Sequence, residues 1–341
     1  MKNKIIFILL TLTCALICSF TSELFRTSIQ FEVPNKWPKP HYNFKKNPLT
    51  EEGFQLGRRL FYDTKLSRDN TISCSSCHLQ YTGFTHVDHS VSHGIDGRKG
   101  TRNAPALINL AWNTSFHWAG GVNHLDVQPL NPIQDKNEMD QKLDSVLYYL
   151  NQSPSYRKQF YIAFGDSIIS TSDLLHAITQ FTVSLVSSNS KYDAYVNGTT
   201  KFTEQEENGL ELFNEHCNSC HTAPLFNSNK YRSNGLPINS AYHDLGRYSI
   251  TKNPKDSLLF RVPTLRNIQY TEPYMHDGRF SKLRDVINYY SDGLKQNSPH
   301  LSKELRKKFT LSGNQKKDLI AFLYTLSDKK FLRNKRYSFP R

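Results

Sequence analysis

Four of the six cysteines in this 341-residue chain fall into two copies of one pattern. Cys74-Ser75-Ser76-Cys77-His78 and Cys217-Asn218-Ser219-Cys220-His221 each set two thiols three positions apart, with a histidine directly after the second. Thiols at that spacing reach the two vinyl groups of one porphyrin, and the adjacent imidazole then lies below the ring and binds iron. This is the pattern of covalent c-type haem attachment. Cys74, Cys77, Cys217 and Cys220 are therefore expected to carry two c-type haems, with His78 and His221 as iron ligands. The competing chemistries are a four-cysteine zinc site and a redox dithiol. Neither calls for a histidine immediately after each pair, and the doubled motif favours haem.

The remaining cysteines, Cys14 and Cys18, lie in an apolar run from Ile5 to Phe20 behind Met1-Lys2-Asn3-Lys4. Residues 1–21 read as a signal peptide cleaved near Ser19–Ser22. The run is short for a membrane span. An uncleaved anchor, or a lipid on Cys14 or Cys18, is the minority reading and the only membrane attachment expected. The protein should be periplasmic or otherwise extracytoplasmic, where disulfides are permitted. None is expected here, because the cysteines outside the signal segment are used for haem. The formal charge is +13 and falls to +11 without Lys2 and Lys4. Four haem propionates would leave roughly +7 if all ionise. A basic surface can steer an acidic electron donor, though plain solubility explains it equally well. Nucleic acid is not expected as a partner, since the basic residues are scattered.

The elements that hold the motifs follow from periodicity. Residues 22–48, with Pro34, Pro38 and Pro40, read as an extended arm. Thr50 caps a helix that opens with Glu51 and Glu52 and turns Leu56, Leu60 and Phe61 to one face. Residues 79–142 have few clear periods, and so long a loop region implies a function. Residues 172–188 read as a buried helix. Asn189–Thr200 is polar and marks the domain boundary. Thr203-Glu204-Gln205-Glu206 then forms a capping box into the second haem motif, and Ser312-Gly313-Asn314-Gln315 another near the end. Each half therefore runs from a Thr-capped helix to a haem motif, a weak internal repeat. The expected architecture is mainly α: two cytochrome c-like domains at 49–195 and 196–341, one haem each. Trp37 and Trp112 read as packing residues.

Further stretches carry a resemblance. They are Gly100-Thr101-Arg102-Asn103-Ala104-Pro105, Trp118-Ala119-Gly120-Gly121, Gln128 through Met139, Val262 through Asn267, and Pro273-Tyr274-Met275-His276-Asp277-Gly278-Arg279-Phe280. With the two haem motifs, the chain from about Asn47 to Asp328 resembles the bacterial di-haem cytochrome c peroxidase and MauG family. The resemblance implies that the N-terminal haem reacts with hydrogen peroxide and the C-terminal haem passes electrons to it. The donor would be a small redox protein, a cytochrome c or cupredoxin. It implies Glu138 as the carboxylate that moves a proton during O–O cleavage, with Gln128 and Pro132 lining the same pocket and Trp118 as a relay between the haems. It further implies one calcium ion held by Asn103, Thr271 and Pro273. A homodimer is a further possibility.

Two positions depart from the commoner family pattern. The sixth ligand of the second haem falls at Tyr290, where peroxidases of the family have Met and MauG has Tyr; Met275 is the alternative. The histidine that blocks the first haem in many of these peroxidases is replaced by Ile95, with His86, His89 and His93 close by in sequence. Both features favour a MauG-like oxidase acting on a protein or organic substrate as the alternative to a peroxidase. A third reading is a non-enzymatic di-haem electron carrier.

Overall fold

The computed structural model describes residues 26–340, and the signal segment lies outside them. In the first half, α1 (Glu51–Phe61) begins at Thr50, whose side chain accepts from the Gly53 N–H, and carries acids in its first turn and arginines in its last. A single turn, α2 (Cys74–Cys77), holds the first haem motif, followed by α3 (Leu130–Gln134), α4 (Leu143–Gln152), α5 (Pro154–Phe164) and α6 (Thr171–Val183). The second half contains α7 (Lys191–Val196), α8 (Glu204–His216), α9 (Leu283–Asn288), α10 (Gly313–Tyr324) and α11 (Lys329–Leu332). Two two-residue strands, β1 (Tyr231–Arg232) and β2 (Phe260–Arg261), pair antiparallel. The fold is mainly α, as the periodicity predicts.

The repeat is visible in the packing. In each half the helix before the haem motif crosses a later one: α1 on α6, and α8 on α10. Both crossings turn on a glycine. A Cβ at Gly57 would stand 1.9 Å from the Ala177 carbonyl oxygen, and one at Gly209 would stand 2.0 Å from that of Asp318. Only glycine lets the backbones approach so closely. Phe54, Phe61, Phe84, Trp112 and Phe181 build one core, the apolar faces of α1 and α4–α6 a second, and Phe202, Phe213, Phe226 and Phe322 a third in the C-terminal half.

Three points differ from the sequence reading. The helix expected over 172–188 stops at Val183. Beyond it, the Ser187 N–H donates to Asn109 Oδ1, and the Ser188 and Asn189 N–H groups donate to Asp328 Oδ2. These long-range acceptors take the donors that another helical turn would have used. The polar stretch read as a boundary, Asn189–Thr200, contains α7. Its polarity is spent on a Ser190–Asp193 capping box and on a bidentate pair between Asp193 and the fully buried Arg266, at 2.7 and 2.9 Å. The chain also ends on its first half, not its second. Phe331 and Leu332 enter the first core, Arg336 pairs with Glu51, and Tyr62 Oη donates to the Tyr337 carbonyl. The arm packs on the first half: Tyr42 joins the first core, and Trp37 meets Trp112 edge-on at 4.9 Å.

Candidate active site

Each haem motif opens on a cavity. The first, of about 290 Å³, is lined by Cys77, His78, Gln128, Pro132 and Glu138. A narrow extension adds Cys74 and His93. The second, of about 200 Å³, is lined by Cys217, Cys220, His221, Tyr290 and Met275 among mostly apolar side chains. The two cysteine pairs line separate cavities. Among the described residues, no cysteine takes part in a cluster able to hold a metal. The four-cysteine zinc alternative therefore does not fit.

The side chains present do fit haem. His78 Nδ1–H donates to the Phe84 carbonyl at 2.8 Å, and His221 Nδ1–H donates to those of Phe226 and Pro263 at 3.2 and 3.1 Å. A carbonyl partner fixes the tautomer, so Nε2 carries the lone pair that an iron would take. Burial holds both rings at about 4, hence neutral at pH 7. All four cysteines are unpaired. Arg261 supplies a further sign. It is 7% exposed, lines both cavities and has no carboxylate partner among the described residues; its side chain donates only to the His117 carbonyl. A buried, unpaired guanidinium is costly, and haem propionates are the anions that would satisfy it.

Glu138 follows α3 in a tight turn, where its N–H donates to the Asp135 carbonyl and its own carbonyl accepts from the Ile95 N–H. Burial, and then the negative charge of Asp135, push its carboxyl up to about 7. It is thus divided between its two protonation states near neutrality. Gln128 and Pro132 share its wall. Trp118 lines both cavities, and its indole N–H donates to the Asn103 carbonyl at 2.8 Å. Behind it, His276 stacks on Phe260 at 3.8 Å.

In the second cavity the two candidates for sixth ligand converge. Asn234 Nδ2 lies 3.3 Å from Tyr290 Oη and 3.4 Å from Met275 Sδ. Burial pushes the Tyr290 phenol well above its ordinary value, against the donation from Asn234. Tyr290 sits in a π-helical turn over Tyr289–Gly293, a distortion frequent at functional sites. Of the three residues expected to hold calcium, Asn103 and Pro273 are in contact. Asn103 Nδ2 contacts the Pro273 carbonyl at 2.5 Å, while Asn103 Oδ1 is buried without a partner. Orphaned amide oxygen beside a carbonyl is a donor set calcium accepts. Thr271 stands two residues away beside Gly83.

Sequence reasoning missed Arg261, Asn234 and His117. His117 lines the first cavity, has positive φ and a buried, unpartnered Nε2, and is held neutral at about 4 by burial. Nothing local marks any of the three, although His117 directly precedes the Trp118 segment already singled out.

The family model described as di-haem cytochrome c peroxidase matches residues 51–201. Among characterised relatives, the cytochrome-c peroxidase IdrP1 of Pseudomonas sp. (strain SCT) is 33% identical over 323 residues, 83% of either chain. The methylamine utilization protein MauG of Methylorubrum extorquens is 32% identical over 89% of this chain and 85% of its own. A solved MauG-like protein associated with microbial copper homeostasis superposes with a TM-score of 0.83 at 34% identity, covering 92% of this chain and 99% of that one.

Proposed function

The chain belongs to the di-haem cytochrome c peroxidase family, and from that premise we propose that it reduces hydrogen peroxide to water in the cavity beside His78, with electrons from a small redox protein entering at the second cavity. The reaction consumes one peroxide, two electrons and two protons and yields two waters. When bound, the two haems supply the redox chemistry, one iron held by His78 and the other by His221. The chain's own residues supply the rest. The Glu138 carboxylate takes the proton from the near oxygen of peroxide and returns it to the departing one, a transfer that general acid–base groups accelerate when poised near the working pH. Gln128 and Pro132 shape the space in which peroxide is held. Trp118, an aromatic side chain in the walls of both cavities, relays the electron between them.

The observation that carries this reading is a carboxyl at about 7 in the wall of a cavity that also contains Cys77 and His78. A carrier with two blocked irons has no use for such a group. The basic chain suits an acidic cytochrome or cupredoxin as donor. An extracytoplasmic location, reached through the signal segment, and a calcium ion at Asn103, Thr271 and Pro273 complete the proposal. The test is peroxide consumption by the fully haem-loaded protein with a reduced cytochrome c or cupredoxin, counting donor oxidised per peroxide. Two equivalents per peroxide support the proposal. No donor oxidation, with both haems loaded, refutes it.

A second reading is specifically favoured by Tyr290 at the second cavity and by the fully buried Ile95 where many family peroxidases have a blocking histidine. It is a peroxide-dependent oxidase of a protein or organic substrate. Peroxide reacting with the ferric protein in the absence of donor, leaving a long-lived oxidised state, is its signature.

A further inference from the structure

Between the first haem motif and the Glu138 turn lies a loop with three histidines, His86, His89 and His93. One ring nitrogen from each falls within 4.8 Å of the other two, and among the described residues this is the one cluster of its kind. The ring centroids of His89 and His93 are 4.2 Å apart and those of His86 and His89 5.2 Å. The loop is held at both ends. Leu79 bridges Thr85, His93 bridges Lys99, and the Ser92 N–H donates to the Arg102 carbonyl. Cys77 Sγ approaches the His93 carbonyl at 3.5 Å.

Among the described residues, this arrangement is only partly satisfied. His86 Nδ1 and His93 Nδ1 are buried without a hydrogen-bond partner. Leaving a buried donor or acceptor without a partner is costly. The rings disfavour one another's protonation: His86 is held below its ordinary value by burial and then by His89 and His93, and His93 by burial and then by His89 and Lys99. A hydrogen bond with the His89 backbone and the charge of Asp88 work the other way on His86. Neutral imidazoles with free lone pairs are the form in which histidine binds metals. His86 is buried, His93 half-buried and His89 exposed, so the cluster opens to solvent on one side. That opening gives an ion a way in and a place for a water as fourth ligand.

We propose that His86, His89 and His93 form a site for one borderline divalent transition ion, zinc or copper(II), separate from both haem irons. Three imidazoles with no ligating carboxylate match those ions and not calcium or magnesium. Because His93 also lines the narrow end of the first cavity, the ion ties that wall to the loop.

The test uses the tag-free, haem-loaded protein, confirmed at two irons per chain and cleared of other metals by chelator. Zinc is titrated against a chromophoric competitor, and copper(II) is followed separately by its EPR hyperfine pattern. One equivalent of either ion is expected, with binding weakened at least about tenfold by His89→Ala, as loss of a ligand requires. His89 is exposed, so this variant should fold and keep both haems. Binding of zinc alone or of copper alone supports the site and identifies the ion. No stoichiometric binding of either overturns the proposal. Equal binding by His89→Ala and by His93→Ala overturns it too, since the ion then sits elsewhere.

Discussion

Replacing Glu138 with glutamine removes the titrating group and keeps the shape of its wall. The folded carboxyl stands at about 7 against an ordinary 4.5. At about 1.4 kcal/mol per tenfold change in proton affinity, keeping it ionised in the folded chain costs about 3 kcal/mol. The folded value lies above the unfolded one, so the penalty is absent below pH 4.5, grows between 4.5 and 7, and is complete above 7. Glutamine carries no such penalty. The variant should therefore match the parent in acid and become more stable by up to about 3 kcal/mol in mild alkali. Catalysis should move the opposite way. As the base in O–O cleavage, Glu138 must be ionised, so kcat/KM for peroxide should rise with pH and level off above 7. In the glutamine variant that limb should vanish and kcat/KM fall by about 10²–10⁴, or roughly 3–5 kcal/mol of barrier. The assays are stopped-flow peroxide consumption from pH 3.5 to 9 and thermal unfolding across the same range. A variant within tenfold of the parent, with both haems loaded, would remove Glu138 from the chemistry. An activity limb near 4.5 would instead mean that the cavity does not hold the carboxyl up.

Other consequences can be checked independently. Tyr290→Phe should change the visible spectrum of the second haem and raise its potential, whereas Met275→Leu should leave both unchanged; the reverse result assigns the ligand to Met275. Asn234→Leu should alter the same spectrum without loss of haem, because its amide approaches both side chains. Gly57→Ala drives a Cβ into the Ala177 carbonyl and should cost about 1–3 kcal/mol in urea unfolding, as overpacking does. Asp193→Ala leaves the buried Arg266 guanidinium unpaired and should cost about 3–5 kcal/mol, although it is remote in sequence from both haem motifs.

What the sequence determined by itself was chemistry fixed by short spacing. The two haem motifs and the capping boxes at Thr203 and Ser312 depend on neighbours within a turn or two, so residue order alone specifies them. The mainly α fold was legible for a similar reason: α1, α8 and α10 carry their own caps and apolar faces. What the tertiary structure decided were contacts made across long separations. The 172–188 helix ends early because Asn109 and Asp328 capture its continuation. The polar stretch at 189–200 is ordered because Asp193 meets Arg266, and the last residues rest on the first core. Arg261 and Asn234 stand out only once the chain has brought them to a cavity wall. The same holds for the carboxyl of Glu138. Its place in the sequence suggested a role, but its proton affinity is set by burial, and burial is a property of the folded chain.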